Sequence, residues 1–333
     1  MTYDAAILTH YLAPIRAALD APDVTEVVVN RPGEFGVETP AGWRWVESAE
    51  LTADALMRIG VAAAAATAQD VGAEQPLCST VLPTGERCQV VLPPAAEQVS
   101  LTFRKPSPQA FALEDLARDG FFEEASPAVS PLRRAEPALA ALRDAGDWPG
   151  FFRAAVEGRR NILVSGATGS GKTTFAKALV RLIPPVERLV TIEDARELVV
   201  PHRNAVHLLY AKDGQGLARI GPRALLESAL RMRPDRILLQ ELRDASAFFY
   251  LRNVNTGHPG AITTVHANSA ELAFEQLTLL VKESEAGRDL HRDDVRQLLM
   301  RLVDIVVHVE RRGGRFRLAE VWHEPLRRHA LAA

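Results

Sequence analysis

Nine residues near the middle of the 333-residue chain, Gly166-Ala167-Thr168-Gly169-Ser170-Gly171-Lys172-Thr173-Thr174, restrict its fold more than any other stretch. Glycine visits positive φ freely and lets backbone N–H groups converge on an anion. Gly166, Gly169 and Gly171 are spaced as a loop wrapped around phosphates requires. Lys172 supplies a point charge for the terminal phosphates, and Thr173 offers a hydroxyl to Mg²⁺. A helix opening at Thr173 adds its positive N-terminal end. The flanks agree: Asn161 to Ser165 reads as a short apolar strand, and Thr173 to Ile183 as a helix stopped by Pro184-Pro185. Strand, glycine loop and helix in that order predict an α/β fold holding a magnesium-bound nucleotide.

The residues around this unit extend it. Arg188 to Ile192 and Arg236 to Leu239 are further buried-type strands, and between them Pro222 stands at the first position of a helix through Ala224 to Met232. The alternation predicts a parallel, doubly wound sheet over 151–333. Asp304 to Glu310, a glycine turn and Arg315 to Trp322 predict a closing hairpin. Residues 1–105 read differently. Strands through 24–30, 36–38, 43–45, 80–82, 88–92 and 99–103, with a helix from Thr52 (its N-cap) to Ala68, predict a smaller α+β domain with a mixed sheet. Between the two, residues 106–150 are punctuated by six prolines, with helical pieces at 113–119 and 137–144, and read as a structured linker.

Three further residues bear on chemistry. Arg236-Ile-Leu-Leu-Gln-Glu241 is an apolar strand ending in a carboxylate, which would stand beside the loop within reach of Mg²⁺ through water, or of the attacking water. Thr191-Ile-Glu193-Asp194 is another strand ending in acids. Glu193 reads equally as a second catalytic acid or as a strand-end carboxylate before a helix capped by Asp194. His266, after the strand Ala261 to Thr264, is by chemistry alone more often a packed, hydrogen-bonded residue than a catalytic one.

Composition excludes several classes. A net charge of −3, four Tyr and four Trp argue against direct nucleic-acid binding, which favours a basic excess or stacking aromatics. No apolar run approaches the roughly 18–20 residues of a membrane span, and the N-terminus lacks the basic start of a secretory signal. Cys78 and Cys88 flank a turn near Thr84 that sets Cys78 opposite Val90 rather than Cys88, so both read as reduced thiols.

In order and wording, four blocks resemble the secretion ATPase superfamily that powers type II secretion, type IV pili and type IV secretion. They run Gly166 to Thr174, Val190 to Glu197, Leu230 to Asp244 and Thr256 to Asn268. In the N-terminal half, Glu26-Val-Val-Val-Asn-Arg-Pro32 and Leu82-Pro-Thr-Gly-Glu-Arg87 resemble the traffic ATPase of type IV secretion. Only two cysteines are present, so the branch with a four-cysteine zinc insert is disfavoured, and Gln240 stands where the family has a small residue. The resemblance implies a RecA-like, P-loop C-terminal domain with a sensor-like N-terminal domain, and ATP with Mg²⁺ as ligands. It also implies a homohexamer, peripheral at the cytoplasmic face of the inner membrane, with secretion-channel proteins and coupling ATPases as partners. Carried over residue by residue, Lys172 and Thr173 hold phosphate and Mg²⁺, Glu241 polarises water, Glu193 is a second acid and His266 a γ-phosphate sensor. An arginine from the N-terminal half or linker reaches the phosphates, matched best by Arg104 and more weakly by Arg133 or Arg134. The alternatives are a pilus or adhesin motor, a nucleotide-gated assembly platform and, least favoured by charge, a nucleic-acid translocase.

Overall fold

The protein is described from a computed structural model covering residues 3–106, 112–123, 125, 132–212, 215–244, 246–254 and 257–323. Helices α1 (Tyr3–Tyr11) and α2 (Ala13–Asp20) precede strands β1 (Glu26–Val29), β2 (Glu34–Thr39) and β3 (Gly42–Glu47). Then come α3 (Ala53–Ala65), β4 (Leu77–Val81), β5 (Arg87–Val91) and β6 (Ser100–Arg104). Thr52 caps α3 as expected, its side chain accepting the N–H of Ala55 at 3.1 Å.

The six strands form one sheet in the order β3-β2-β1-β6-β5-β4, and every pairing in it is antiparallel. The expected mixed sheet is therefore corrected. Tight turns at Gly33, Gly42 and Gly85, all at positive φ, make hairpins, and hairpins pair antiparallel. The one long connection, through α3, carries the chain from one edge strand to the other, so it creates no parallel neighbour. Cys78 does face Val90, and Cys88 faces Thr80. Both thiols are free and buried, and burial raises the pKa of each.

Helices α4 (Leu113–Arg118), α5 (Leu132–Asp144) and α6 (Trp148–Glu157) lead to β7 (Ile162–Ser165) and α7 (Lys172–Val180). There follow β8 (Leu189–Glu193), β9 (Ala205–Leu209), α8 (Pro222–Ala229), β10 (Arg236–Leu239), β11 (Glu241–Leu242), α9 (Ser246–Val254) and β12 (Ile262–Val265). Helices α10 (Ala270–Glu283) and α11 (Arg292–Leu302) precede the hairpin β13 (Ile305–Arg312) and β14 (Arg315–Trp322). Two ladders result, β10-β8-β9 and β11-β12-β7-β13-β14, parallel except for the final hairpin. Ile162 and Val164 pack into one apolar layer with Phe151, Ala176 and Leu179, while Leu163 faces the other with Phe274 and Leu277. Both faces are covered, which is why these strands read as continuous apolar runs. Leu139 of α5 joins the first layer.

The N-terminal sheet docks on the edge strand β9. Ala95 O accepts the N–H of Leu209 at 2.8 Å, and Ala96 bridges Leu208. Arg188 lies wholly buried in this junction. Its Nη1 donates to Asn30 Oδ1 at 2.8 Å and also to Asn204, its Nη2 to Thr102 Oγ1 at 3.3 Å and its Nε to Met232 O at 2.8 Å. Beside it Glu26 is buried on β1, and burial raises its carboxyl from 4.5 to about 7 against the opposing pull of Arg104. Glu38 adds to the rise, while Arg233 and Arg188 oppose it.

The folded state thus keeps a proton that the unfolded chain releases between pH 4.5 and about 7. That stabilisation is complete below the unfolded value and is lost as pH rises through the folded one. Glu26→Gln is neutral throughout, so it should melt higher than the parent protein at pH 8 and nearly match it at pH 5. The ceiling is about 3 kcal/mol from roughly 1.4 kcal/mol per pKa unit, less up to about 1 kcal/mol for the lost contact with exposed Arg104. Thermal unfolding at the two pH values checks this, and a gap independent of pH contradicts it.

Candidate nucleotide site

The loop between β7 and α7 is shaped by close approach as much as by φ. A Cβ on Gly166 would lie 2.4 Å from both Ser170 Oγ and Val309 O, so the backbone passes there only without a side chain. Gly169 and Gly171 hold φ of 73° and 97°, which glycine adopts without strain. Lys172 heads α7, and its Nζ donates back to Gly166 O at 2.9 Å and Ala167 O at 3.0 Å. The lysine is buried, and burial pulls its ammonium pKa down while Glu241 opposes the shift.

A cleft of about 520 Å³ opens over this loop. Thr168, Gly169 and Gly171 to Thr174 line one side; Glu241, Arg243, Thr264, His266 and Phe316 line the rest. Because β12 lies next to β7 and β11 next to β12, Glu241, just past the end of β10, and His266, just past the end of β12, stand beside the loop, where ligand sites of parallel sheets form. Lys172 Nζ lies 3.3 Å from His266 Nδ1. An ammonium only donates, so Nδ1 accepts and the ring carries its proton on Nε2. That Nε2 stands 2.7 Å from Glu241 Oε1. The contact is not aligned as a hydrogen bond, and Oε1 has no hydrogen-bond partner among the described residues. Its other oxygen takes the Nε–H of Arg243 at 2.6 Å, and Arg243 Nη1 reaches Asp194 Oδ2 at 2.8 Å. Burial works against the Arg243 charge, but hydrogen bonding to Glu241 and the charges of Glu241 and Asp194 raise its pKa.

The structure therefore brings Lys172, Thr173, Glu241 and His266 together, with Ala167 and Thr168 in the adjoining loop and Thr174 in the first turn of α7. It does not bring in Glu193. That carboxylate, buried at the end of β8, accepts the N–H groups of Glu197 and Leu198 at 3.0 and 2.8 Å and the Thr191 hydroxyl at 3.2 Å. No helix starts at Asp194, contrary to expectation; Glu193 instead fastens the irregular segment after β8, and Asp194 pairs with Arg243. Arg104 is exposed on β6, 3.5 Å from Glu26 Oε1, and does not line the cleft. The side chains of Arg133 and Arg134 lie outside the described residues.

Arg243 and Phe316 were not anticipated. Arg243 could have been, since it stands two residues after Glu241, directly past the end of β11, where the extended-chain alternation keeps it on the same face. Phe316 carries no local signal, because only the sheet order brings it near. The unusual Gln240 stands where the chain passes from one ladder to the other, and its backbone links the two. Its N–H is donated to Ile192 O at 3.2 Å, and its carbonyl accepts the Thr264 hydroxyl at 3.0 Å.

The positive-φ glycines, the inward-facing lysine and the unpartnered Glu241 oxygen fit a magnesium-bound triphosphate. The family described as type II/IV secretion system protein matches residues 145–312. The type IV secretion system protein VirB11 of Bartonella quintana is 49% identical over 97% of this chain and 94% of its own length. That of Brucella suis is 44% identical over 98% and 93%. The crystal structure of the VirB11 ATPase from the Brucella suis type IV secretion system, in complex with sulphate, superposes with a TM-score of 0.92 at 43% identity, covering 99% of this chain and 98% of that one.

Proposed function

The chain belongs to the type II/IV secretion system protein family and is a motor ATPase of the type IV secretion kind, and on that premise we propose how its residues turn over ATP. The reaction is hydrolysis of ATP to ADP and phosphate. The observation that carries the reading is the run of contacts Lys172–His266–Glu241–Arg243 across one cleft. Lys172 leaves its loop carbonyls for the β- and γ-phosphates, whose charge offsets the desolvation it already bears. Thr173 and, through water, Glu241 would hold Mg²⁺, which would neutralise charge on the phosphate oxygens. The free lone pairs of Glu241 Oε1 orient the attacking water, and His266, bridging Lys172 and Glu241, senses the γ-phosphate.

In this reading residues 1–105 form an N-terminal domain, 106–150 a linker and 151–333 the RecA-like ATPase, and six copies assemble into a ring. An apolar cluster confined to the N-terminal sheet supports the division, with Val91, Ala95 and Ala96 joining the core of the parallel sheet where the two halves meet. Among the described residues no helix is long and apolar enough to cross a membrane. By likeness to the family, the ring would sit peripherally at the cytoplasmic face of the inner membrane. Channel proteins and coupling ATPases would be its partners there. Steady-state Mg-ATPase assays, with and without lipid, test the reading. Binding without turnover under every condition would favour a nucleotide-gated platform instead.

Arg104 enters as a movable cation. It stands outside the cleft, so only movement between the two halves or assembly of the ring could bring it to the γ-phosphate. Arginine fingers in other P-loop enzymes contribute roughly 10³–10⁵-fold in rate. Arg104→Ala should fold normally and lose at least about tenfold in ATPase rate. A rate within about twofold of the parent, with assembly unchanged, would leave Arg104 as a solvated surface charge.

A further inference from the structure

We propose that Phe316 is the residue on which the nucleotide's base stacks. This rests on the ATPase reading and extends it to the recognition of the nucleoside.

The P-loop strand β7 sits inside its sheet, with β12 and β11 on one side and β13 and β14 on the other. The groups that act on a terminal phosphate, Glu241, Arg243 and His266, all come from the β11–β12 side. Phe316 lines the same cleft from β14, on the opposite side. A nucleotide laid along the loop with its γ-phosphate toward Glu241 must direct its nucleoside toward β14.

The placement of Phe316 is odd for a packing residue. Its side chain is 56% exposed, it belongs to none of the apolar clusters and it stacks on no other aromatic ring among the described residues. Yet its ring lies against the P-loop itself, where a Cβ on Gly171 would come within 2.8 Å of Cδ1. Arg311, directly opposite on β13, holds its guanidinium carbon 5.9 Å from the ring centroid. An exposed ring and a guanidinium beside a phosphate loop make a surface for the flat face of a heteroaromatic base. Stacking reads the face and not the edge, so adenine and guanine should bind alike.

The test compares ATP, GTP and inorganic tripolyphosphate on the full-length protein, for the parent, Phe316→Ala and Phe316→Trp. Base stacking on an aromatic side chain contributes about five- to a hundredfold in affinity. Phe316→Ala should raise KM and Kd for ATP and GTP by a factor in that range, with kcat within about threefold of the parent. Its affinity for tripolyphosphate should not change, and Phe316→Trp should restore the nucleotide affinity. Equal loss of ATP and tripolyphosphate affinity would make Phe316 a prop for the loop and overturn the proposal. Unchanged ATP affinity in Phe316→Ala would overturn it too, as would a preference for ATP over GTP above about a hundredfold that survives the substitution. A parent protein that bound no nucleoside triphosphate would instead refute the ATPase reading.

Discussion

Replacing Lys172 by alanine is expected to abolish measurable ATP turnover, a fall of at least about a hundredfold, and to weaken nucleotide binding. The substitution removes the cation at the β- and γ-phosphates, and also the donor that closes the loop on Gly166 O and Ala167 O. It further leaves His266 Nδ1 without its ammonium donor, so the link from loop to Glu241 is cut. ATPase rate and nucleotide affinity, measured on a variant whose circular dichroism and melting match the parent, check the expectation. Parental turnover in that variant would remove the P-loop from the mechanism.

Glu241→Gln is expected to separate binding from hydrolysis. The amide fills the same space and keeps one oxygen for Arg243, so Mg-ATP should still bind. The variant has no carboxylate to take or orient the proton of water, which costs about 10²–10⁴-fold in rate. Single-turnover assays with Mg-ATP, alongside binding measured by calorimetry, resolve the two effects. Loss of Mg-ATP binding would make Glu241 chiefly a metal ligand. Retained turnover would hand the water to another group.

Local pattern was enough to find Gly166 to Thr174, the strand into Glu241 and the cap at Thr52, because each depends on neighbours along the chain. Glu193 resisted the same treatment. A strand-end carboxylate becomes a catalytic acid or a loop fastener according to which N–H groups fold back onto it, and here those of Glu197 and Leu198 do. The mixed sheet expected of the N-terminal half failed for a related reason. Strand spans were legible from β-branched runs and turn residues, but pairing direction depends on where α3 returns the chain.

Residue chemistry and spacing thus established a phosphate-binding loop, its lysine, a carboxylate at the end of an apolar strand and the alternation of a parallel sheet, each read from short stretches of neighbouring residues. Contacts across the sheet lie outside that range. Which side of β7 receives Glu241 and which receives Phe316, whether Arg104 faces the cleft or solvent, and how Arg188 comes to lie buried between Asn30, Thr102 and Asn204 all follow from strand order and domain docking. Those depend on the packing of segments up to 158 residues apart, where burial of the whole apolar surface outweighs any local preference.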